Sequence, residues 1–460
     1  MTQLGFPILS LITFLPLVGV FLLVTLQGED ELIACRARMI ALVTSLVVLA
    51  LGLYLWDVFD PSIPGYQFNE MLPWLSGFGI SYRMGVDGIS LFLILLTLFL
   101  TPIAIMASGS ITRRVRGFFS ALLLLETMTV GMFAATDLVL FYIFFEAVLL
   151  PMYLIIGVWG GERRIYAAVK FFIFTLAGSL FMLLALIWMW HNAGSTNITT
   201  LLHTPIPPKV QMWLFLAFLA SFGVKAAVWP LHTWLPDAYG EAPLPGTIML
   251  AAVLSKMGAY GFLRFAVPML PNAAAAAAPL MFVLGVVAVV YVSFVALAQT
   301  DMKRMIAYSS VAHMGIIIIG IFTFTVEGVE GALLMLFSLA NVGLPGTSGF
   351  IGEILVIVGA LKVNFWVALF AATGMVLSVA YMLVLVRAAL FDKFTRPQLA
   401  GLLDLNGKEY AMMLPLAALV LWLGIYPSSF THVFAAPVAA LIQAHTASLM
   451  PHTALAMVTK

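Results

Sequence analysis

The chain has 460 residues, of which 63% are hydrophobic and only 9% carry a charge, and its mean hydropathy is +1.11. Because ordinary soluble domains are about one quarter charged, this composition predicts an all-α membrane protein with many spans. The net charge of +1 and the lack of a basic cluster argue against nucleic-acid binding. The single cysteine, Cys35, excludes an internal disulfide, a cysteine-ligated metal centre and an iron–sulfur cluster.

Apolar runs that are candidates for membrane helices follow one another along the whole chain. They cover residues 6–26, 39–56, 89–107, 118–135, 138–159, 167–190, 212–229, 247–265, 280–298, 305–324, 332–344, 350–361, 365–390, 412–425 and 433–449. The first run lacks a preceding Lys or Arg and is too long for a signal peptide, so we expect it to be a spanning helix. A polar loop is expected between the second and third runs, with Asp57, Asp60, Glu70, Arg83 and Asp87.

The positive charges predict the orientation, because short loops rich in Lys and Arg stay on the cytoplasmic side. Such loops contain Arg36/Arg38, Arg113/Arg114/Arg116, Arg163/Arg164, Lys303/Arg304 and Lys393/Arg396. Lys393/Arg396 can be cytoplasmic only if Glu327 and Lys362 both lie on the opposite face of the membrane. The chain between these two residues is short for two full spans of about 20 residues each. A helical hairpin, a re-entrant pair broken at Leu344-Pro345-Gly346 and an inverted C-terminal region all remain open.

Two lysines mark the part of the chain around which the rest is organised. Lys225 and Lys256 lie within apolar runs, and the segment between them is broken by Pro230, Pro236 and two further prolines. A lysine at the bilayer centre costs about 2.5–3.5 kcal/mol on insertion scales, so each is a candidate for a functional site. Broken segments at 229–236 and 343–350 also indicate an internal repeat, which is typical of transporters.

Three acidic residues lie inside apolar runs. Glu146, in FYIFFEAVLLPMY, must be protonated or paired, and Lys225 and Lys256 are its candidate partners; a structural ion pair between helices is the alternative. Glu353 follows the break at Pro345, which favours a functional role. For Glu126, beside Thr127 and Thr129, a functional role and a scaffold role are equally supported.

Three basic side chains are secondary candidates. His232 lies in the broken segment WPLHTWLP, where an imidazole relays protons or satisfies a backbone gap. His313, in SSVAHMGIIII, is at least as well explained as a packing residue. Lys170 begins its helix and is expected to extend toward the cytoplasmic face.

Five segments carry a resemblance to a known family: FYIFFEAVLLPMYLIIGVWGGERRIYAAVKFF, GVKAAVWPLHTWLPDAYGEAP, LSKMGAYGFLRF, LAQTDMKRMIAYSSVAHMG and ANVGLPGTSGFIGE. Together they resemble the M subunit, or subunit 4, of respiratory complex I, the NADH-quinone oxidoreductase, over residues from about 85 to the helix containing Arg387. More broadly the chain is similar to the antiporter-like family, which includes subunits of multisubunit cation/proton antiporters.

The resemblance implies an antiporter-like fold of about 13 spanning helices with two inverted five-helix repeats. The implied units are N-terminal helices over 1–110, a first repeat over 111–268, a shortened second repeat over 269–395 and a C-terminal unit over 396–460. Glu146 and Lys225 would form a carboxylate–lysine pair, Lys256 the central lysine and Glu353 the exit-side glutamate.

The same resemblance implies a proton-translocating subunit of the bacterial inner membrane with no cofactor of its own. NADH, FMN, iron–sulfur clusters and quinone would be bound by other subunits, and the partners would include two further antiporter-like subunits.

The chain departs from the family in two places. Tyr239 stands where the family has a histidine, and roughly 45 residues are missing between Gly331 and Leu339. The missing part includes a central histidine, so we expect water to bridge Lys256 and Glu353. A cation/proton antiporter subunit and a non-pumping spacer therefore remain alternatives to a proton-translocating subunit.

Overall fold

The computed structural model describes residues 5–27, 30–338, 343–391 and 404–449. Its helices are α1 Ile8–Thr25, α2 Asp30–Asp57, α3 Gly88–Met106, α4 Val115–Ala134, α5 Leu138–Ala147, α6 Leu149–Trp159, α7 Arg164–Ala193, α8 Ile198–His203, α9 Pro208–Lys225, α10 Leu235–Glu241, α11 Leu244–Met249, α12 Ser255–Gly261, α13 Val267–Met269, α14 Pro271–Leu297, α15 Met302–Phe322, α16 Val326–Phe337, α17 Ser348–Val363, α18 Phe365–Val386, α19 Gly407–Ile425 and α20 Ser428–Leu449. π-helical turns over Leu250–Leu254 and Phe262–Ala266 join α11, α12 and α13 into one long helix.

Within these ranges, eleven helices or joined helices are long and apolar enough to cross a membrane. The expectation of about 13 spans included shorter runs, and two of these, α16 and α17, have only 12 and 16 residues. At 1.5 Å per residue they measure about 18 and 24 Å, which is less than the bilayer core of about 30 Å.

The predicted polar loop between α2 and α3 contains a β-hairpin, which the sequence analysis missed. Strands β1 Gln67–Leu75 and β2 Ile80–Val86 pair antiparallel, with irregular register near both ends. The carboxylate of Glu70 accepts hydrogen bonds from the backbone N–H groups of Leu9 (2.7 Å) and Ser10 (3.0 Å) at the start of α1. A carboxylate is favourable there because the first N–H groups of a helix have no partner within it. The hairpin therefore caps α1, and its end of the molecule is called the strand face below.

The core is formed by helices from the middle of the chain. Between 78% and 89% of the residues in the most apolar 18-residue stretch are buried in α3, α4, α15 and the joined helix Leu244–Met269. The corresponding share is 22% for the helix that starts at Phe365 and 11% for α19. The outer helices expose apolar side chains, as is expected where lipid or a neighbouring subunit replaces water.

Helices α16 and α17 form an antiparallel hairpin in the region where the positive charges left the topology open. A Cβ on Gly331 would lie 2.6 Å from the backbone N of Val356, and one on Gly359 only 2.6 Å from Cα of Gly328. Such close approach requires glycine, as in other tightly packed membrane helices. Glu327 and Lys362 form a 2.5 Å ion pair at the open end of this hairpin, so both lie on one face.

The hairpin of the described residues has helices shorter than the bilayer core, so it fits both the helical-hairpin and the re-entrant alternatives. Its tip joins Phe337 to Ser348, and the hydroxyls of Ser338 and Ser348 lie 2.9 Å apart there. Residues 339–342 at the tip lie outside the described ranges, as do Lys393 and Arg396, whose predicted cytoplasmic position is untested. The helix predicted over 433–449 is present as part of α20, but α20 is not among the candidate spans.

Candidate functional site

The first break in the helices places Lys225 against the end of α5. Helix α9 ends at Lys225, and the next helix starts only at Leu235. The buried ammonium group donates a hydrogen bond to the carbonyl oxygen of Phe145 (3.2 Å) and lies 4.3 Å from the centre of its ring. The indole N–H of Trp234 donates to the carbonyl oxygen of Val224 (2.9 Å), which satisfies a carbonyl freed by the break.

Glu146 is the residue after Phe145, and its charge interacts with that of Lys225. The two side chains are not among the ion pairs within 4 Å that the described residues form. The Oε1 atom of Glu146 is buried and makes no hydrogen bond with the described residues. Lys225 is thus bound to the backbone of Phe145, next to the Glu146 carboxylate that was predicted to be its partner. It is close enough to this carboxylate for electrostatic coupling.

Lys256 is bound by the tip of the helical hairpin. It lies on α12 between the two π-helical turns, and its Nζ donates hydrogen bonds to the carbonyl oxygens of Leu336 and Ser338, the latter at 3.2 Å. Carbonyl groups at a helix end have no partner within the helix and carry partial negative charge. They therefore hold the ammonium group where the described residues provide no carboxylate for it, so Lys256 is not the partner of Glu146.

His313 and Glu353 come together where α15 meets α17. The Nε2 atom of His313 lies 3.4 Å from Oε1 of Glu353, and Nδ1 lies 2.7 Å from the carbonyl oxygen of Ser309. A carbonyl only accepts, so Nδ1 carries a hydrogen and Nε2 faces the carboxyl group. The two titratable side chains are therefore adjacent in the interior, and both carboxyl oxygens of Glu353 are buried without a hydrogen-bond partner among the described residues.

A cavity of about 130 Å³ connects Lys256 with His313. Ala, Ile and Met side chains form the larger part of its lining, but Ser255, Ser310 and Ser338 also line it, and it is called the polar cavity below. A cavity of this size with these polar groups has room and partners for water. His313, which lies outside the segment expected to be missing, contacts Glu353 and so stands between Lys256 and Glu353, although the central histidine of the family is expected to be absent. Water is needed only between Lys256 and His313.

The remaining candidates lie apart from this row. Lys170 forms a 2.7 Å ion pair with Asp237, so it joins α7 to α10. His232 is buried, and its Nδ1 has no hydrogen-bond partner among the described residues. Glu126 is fully buried beside Thr101, and no described contact connects it to the lysines or to Glu353.

Sequence reasoning missed a buried ion pair at the strand face. Arg264 Nη2 lies 2.8 Å from Oδ2 of Asp87, whose carboxylate also caps α3, and the guanidinium lies 4.6 Å from the ring centre of Tyr66. The signal was present in LSKMGAYGFLRF, where Arg264 follows Lys256 by two helical turns. Tyr239, at the position that departs from the family, is fully buried beside Ser255 and Ser310.

The fold and the buried lysines define a class, the antiporter-like membrane subunits. A family model described as "NADH:quinone oxidoreductase/Mrp antiporter, TM" matches residues 135–338, and one described as "NADH-ubiquinone oxidoreductase chain 4, amino terminus" matches residues 62–132. A chain of the solved Mrp complex from a Dietzia species has the same fold, with a TM-score of 0.78 at 18% identity over 95% of this chain and 51% of that one. The predicted fold class is confirmed.

Relatives over the full length identify the family. The chain is 44% identical to NADH-quinone oxidoreductase subunit M of Rhodobacter capsulatus, over 96% of this chain and 98% of the relative. It is 38% identical to NADH-ubiquinone oxidoreductase chain 4 of Marchantia polymorpha, over 95% and 97%. A chain of respiratory complex I from Thermus thermophilus with bound NADH superposes with a TM-score of 0.86 at 29% identity, over 95% and 99%. The chain belongs to the family of NADH-quinone oxidoreductase subunit M and chain 4.

The alignment with the Rhodobacter capsulatus relative shows a difference in length. It runs over 501 positions but contains 96% of this chain, about 440 residues, so roughly 60 positions face a gap in this chain. Since both proteins are covered almost from end to end, these gaps are internal. The location of the missing segment near Gly331–Leu339 stays a prediction.

Proposed function

We propose that this chain moves protons across the membrane as a membrane-arm subunit of NADH-quinone oxidoreductase. One observation carries the proposal: Lys256 and His313 line the same polar cavity, and His313 contacts Glu353. A chain of titratable groups joined by contacts or water is what proton transfer through a low-dielectric interior requires. The names of the relatives supply the complex in which such a chain works.

Two segments make up the proposed path. In the first, Glu146 holds a proton near Lys225, and a change in the charge of either group alters the proton affinity of the other. In the second, the proton passes from Lys256 through the cavity to His313 and on to Glu353. The first segment lies within the proposed repeat over 111–268. The second starts at Lys256, in the same repeat, and ends at Glu353 in the proposed repeat over 269–395, the end of which lies outside the described residues.

The setting is also part of the proposal. Redox chemistry takes place in other subunits, which bind NADH, FMN, iron–sulfur clusters and quinone, and this chain contributes proton transfer alone. Its neighbours include two further antiporter-like subunits, and the membrane is the inner membrane of a bacterium.

A non-pumping spacer is the second candidate, because about 60 positions of the alignment with the Rhodobacter capsulatus relative have no counterpart in this chain. A spacer needs the outer surfaces that contact neighbours, but it does not need the protonation of Glu353. Pumping and assembly therefore separate the two functions.

The test uses inverted membrane vesicles that oxidise NADH, with Glu353→Gln and the matched control Glu327→Gln. Both glutamates belong to the same helical hairpin, but Glu353 is buried and Glu327 lies in the exposed ion pair at its open end. We expect Glu353→Gln to lower proton pumping several-fold with assembly on native gels intact, and Glu327→Gln to leave pumping unchanged. If Glu353→Gln pumped protons as well as Glu327→Gln and the parent protein, the spacer function would be favoured instead.

A further inference from the structure

A second cavity, of about 300 Å³, lies between α2, α3, the tip of α16 and the end of α19. Every residue that lines it is Leu, Phe or Trp. We propose that this cavity binds one acyl chain of a membrane phospholipid. The proposal concerns a ligand site outside the proton path, and it stands whether or not the chain pumps.

Chemistry excludes water as the occupant. An internal water molecule needs two to four polar partners, and an engineered apolar cavity of about 150 Å³ stays dry and accepts benzene or xenon. The cavity here is twice that size and has only indole N–H groups as polar atoms in its lining. Because close packing is the normal state of protein interiors, hydrocarbon that fills this space would gain dispersion contacts with the lining.

The shape and opening of the cavity identify that guest. Along α2 the lining extends from Leu49 to Trp56, and along α3 from Phe92 to Phe99, which is about 10 Å parallel to the helix axes. It opens at Leu53 and Trp422, whose side chains are 49% and 44% exposed. Both α2 and α3 are candidate spans, so this opening faces the hydrocarbon of the bilayer, in which acyl chains lie roughly parallel to spanning helices.

One end of the cavity is an aromatic cluster at the height expected of a lipid headgroup. Trp56 lies in the last turn of α2, next to the polar segment that leads to the β-hairpin. Its ring centre lies 5.7 Å from that of Phe92 and 6.0 Å from that of Trp422, which in turn lies 5.3 Å from Phe430. Tryptophan favours the membrane interface, where its ring is buried and its N–H faces polar groups. The headgroup would therefore lie at this end and the chain would extend inward.

The hairpin tip forms part of the cavity wall next to the aromatic cluster. Phe337 lines the cavity and packs against Phe92, with ring centres 5.5 Å apart. Its two neighbours in sequence, Leu336 and Ser338, supply the carbonyl groups that bind Lys256. A bound acyl chain would thus support the short hairpin where it holds this lysine.

Photolabelling of the intact complex in its native membrane tests the proposal. The probe is phosphatidylethanolamine with a diazirine in the middle of one acyl chain, and the labelled peptides are identified by mass spectrometry. Leu95→Trp fills the cavity from α3, and Leu184→Trp places the same side chain on the exposed surface of α7, where Leu184 is 64% exposed. A second probe carries the diazirine on the isoprenoid tail of a quinone.

We expect the lipid probe to label the peptides that contain Phe99 and Phe337. This labelling should fall about tenfold in Leu95→Trp, as for loss of a specific site, and stay unchanged in Leu184→Trp. Labelling by the lipid probe that is insensitive to Leu95→Trp overturns the proposal. The proposal also fails if the quinone probe labels these peptides more strongly than the lipid probe, or if the peptides that line the cavity are found cross-linked to a neighbouring subunit. If Leu95→Trp fails to assemble on native gels, Leu49→Trp fills the same cavity from α2 and replaces it in the test.

Discussion

The two buried lysines are held in the same way but are connected differently. Lys225 and Lys256 each donate to backbone carbonyls at the end of a helix, Phe145 in one case and Leu336 in the other. A helix end supplies partial negative charge without a titratable group, so it stabilises an ammonium group without taking its proton. The difference lies in what comes next along the path.

Beside Lys225 the next titratable group is the carboxylate of Glu146, the residue that follows Phe145 in the sequence. Beside Lys256 the next groups are a polar cavity, then His313, then Glu353. The first connection therefore depends on one acidic group, and the second passes over several groups that can hold a proton. Substitutions should have smaller effects where more alternative groups are available.

The largest effect is expected for Glu146→Gln. The described residues offer no other acidic group beside Lys225, so a neutral amide should lower proton pumping and coupled NADH oxidation about 100-fold, the contribution usual for a proton-transferring side chain. The measurement is acidification of inverted vesicles with NADH as donor. Lys225→Ala should have a similar effect, and the spacer function would be favoured if both variants pumped normally.

Lys256→Met is expected to lower pumping about tenfold, because His313 still faces the cavity and retains part of the path. The substitution also removes the lysine donor from the buried carbonyl group of Leu336, at a cost of about 1–3 kcal/mol. Faster hydrogen exchange in α16, measured by mass spectrometry, should report this loss at the hairpin tip. Lys209→Met, at the exposed start of α9, is the matched control and should change neither quantity.

His313→Gln and Glu353→Gln should each lower pumping about fivefold, and the double variant should be little worse than either one. Residues in direct contact show non-additive effects, whereas independent sites add. Proton pumping measured across the four-member mutant cycle tests this coupling. Effects that multiply would mean that the two groups act on separate paths.

The smallest effect is expected for Lys362→Ala at the open end of the helical hairpin. Both partners of its ion pair are exposed, 53% for Lys362 and 35% for Glu327, and such pairs contribute about 1 kcal/mol or less. Thermal stability of the complex and pumping should both remain close to those of the parent protein. A large loss would show that the ion pair, rather than the packing between Gly331 and Gly352, holds α16 to α17.

The spacing of charges predicted the topology only up to a choice among alternatives. Glu327 and Lys362 were required to lie on one face, but a count of charges does not distinguish a hairpin from two spans. The decision rests on contacts between residues distant in sequence, such as the approach of Gly331 to Val356. His313 shows the same limit, because its apolar surroundings in sequence predict packing equally well.

The sequence by itself determined the membrane setting, the two breaks and the positions of Lys225, Lys256 and Glu353, because buried charge and proline are rare enough in apolar helices to be conspicuous. The partners of these groups were decided only by the tertiary structure. Lys256 meets carbonyls 80 residues away, Asp87 meets Arg264 from the end of a loop, and Glu353 meets His313 because the helical hairpin is short. Hydropathy and spacing describe neighbours along the chain, whereas a proton path depends on which helices touch.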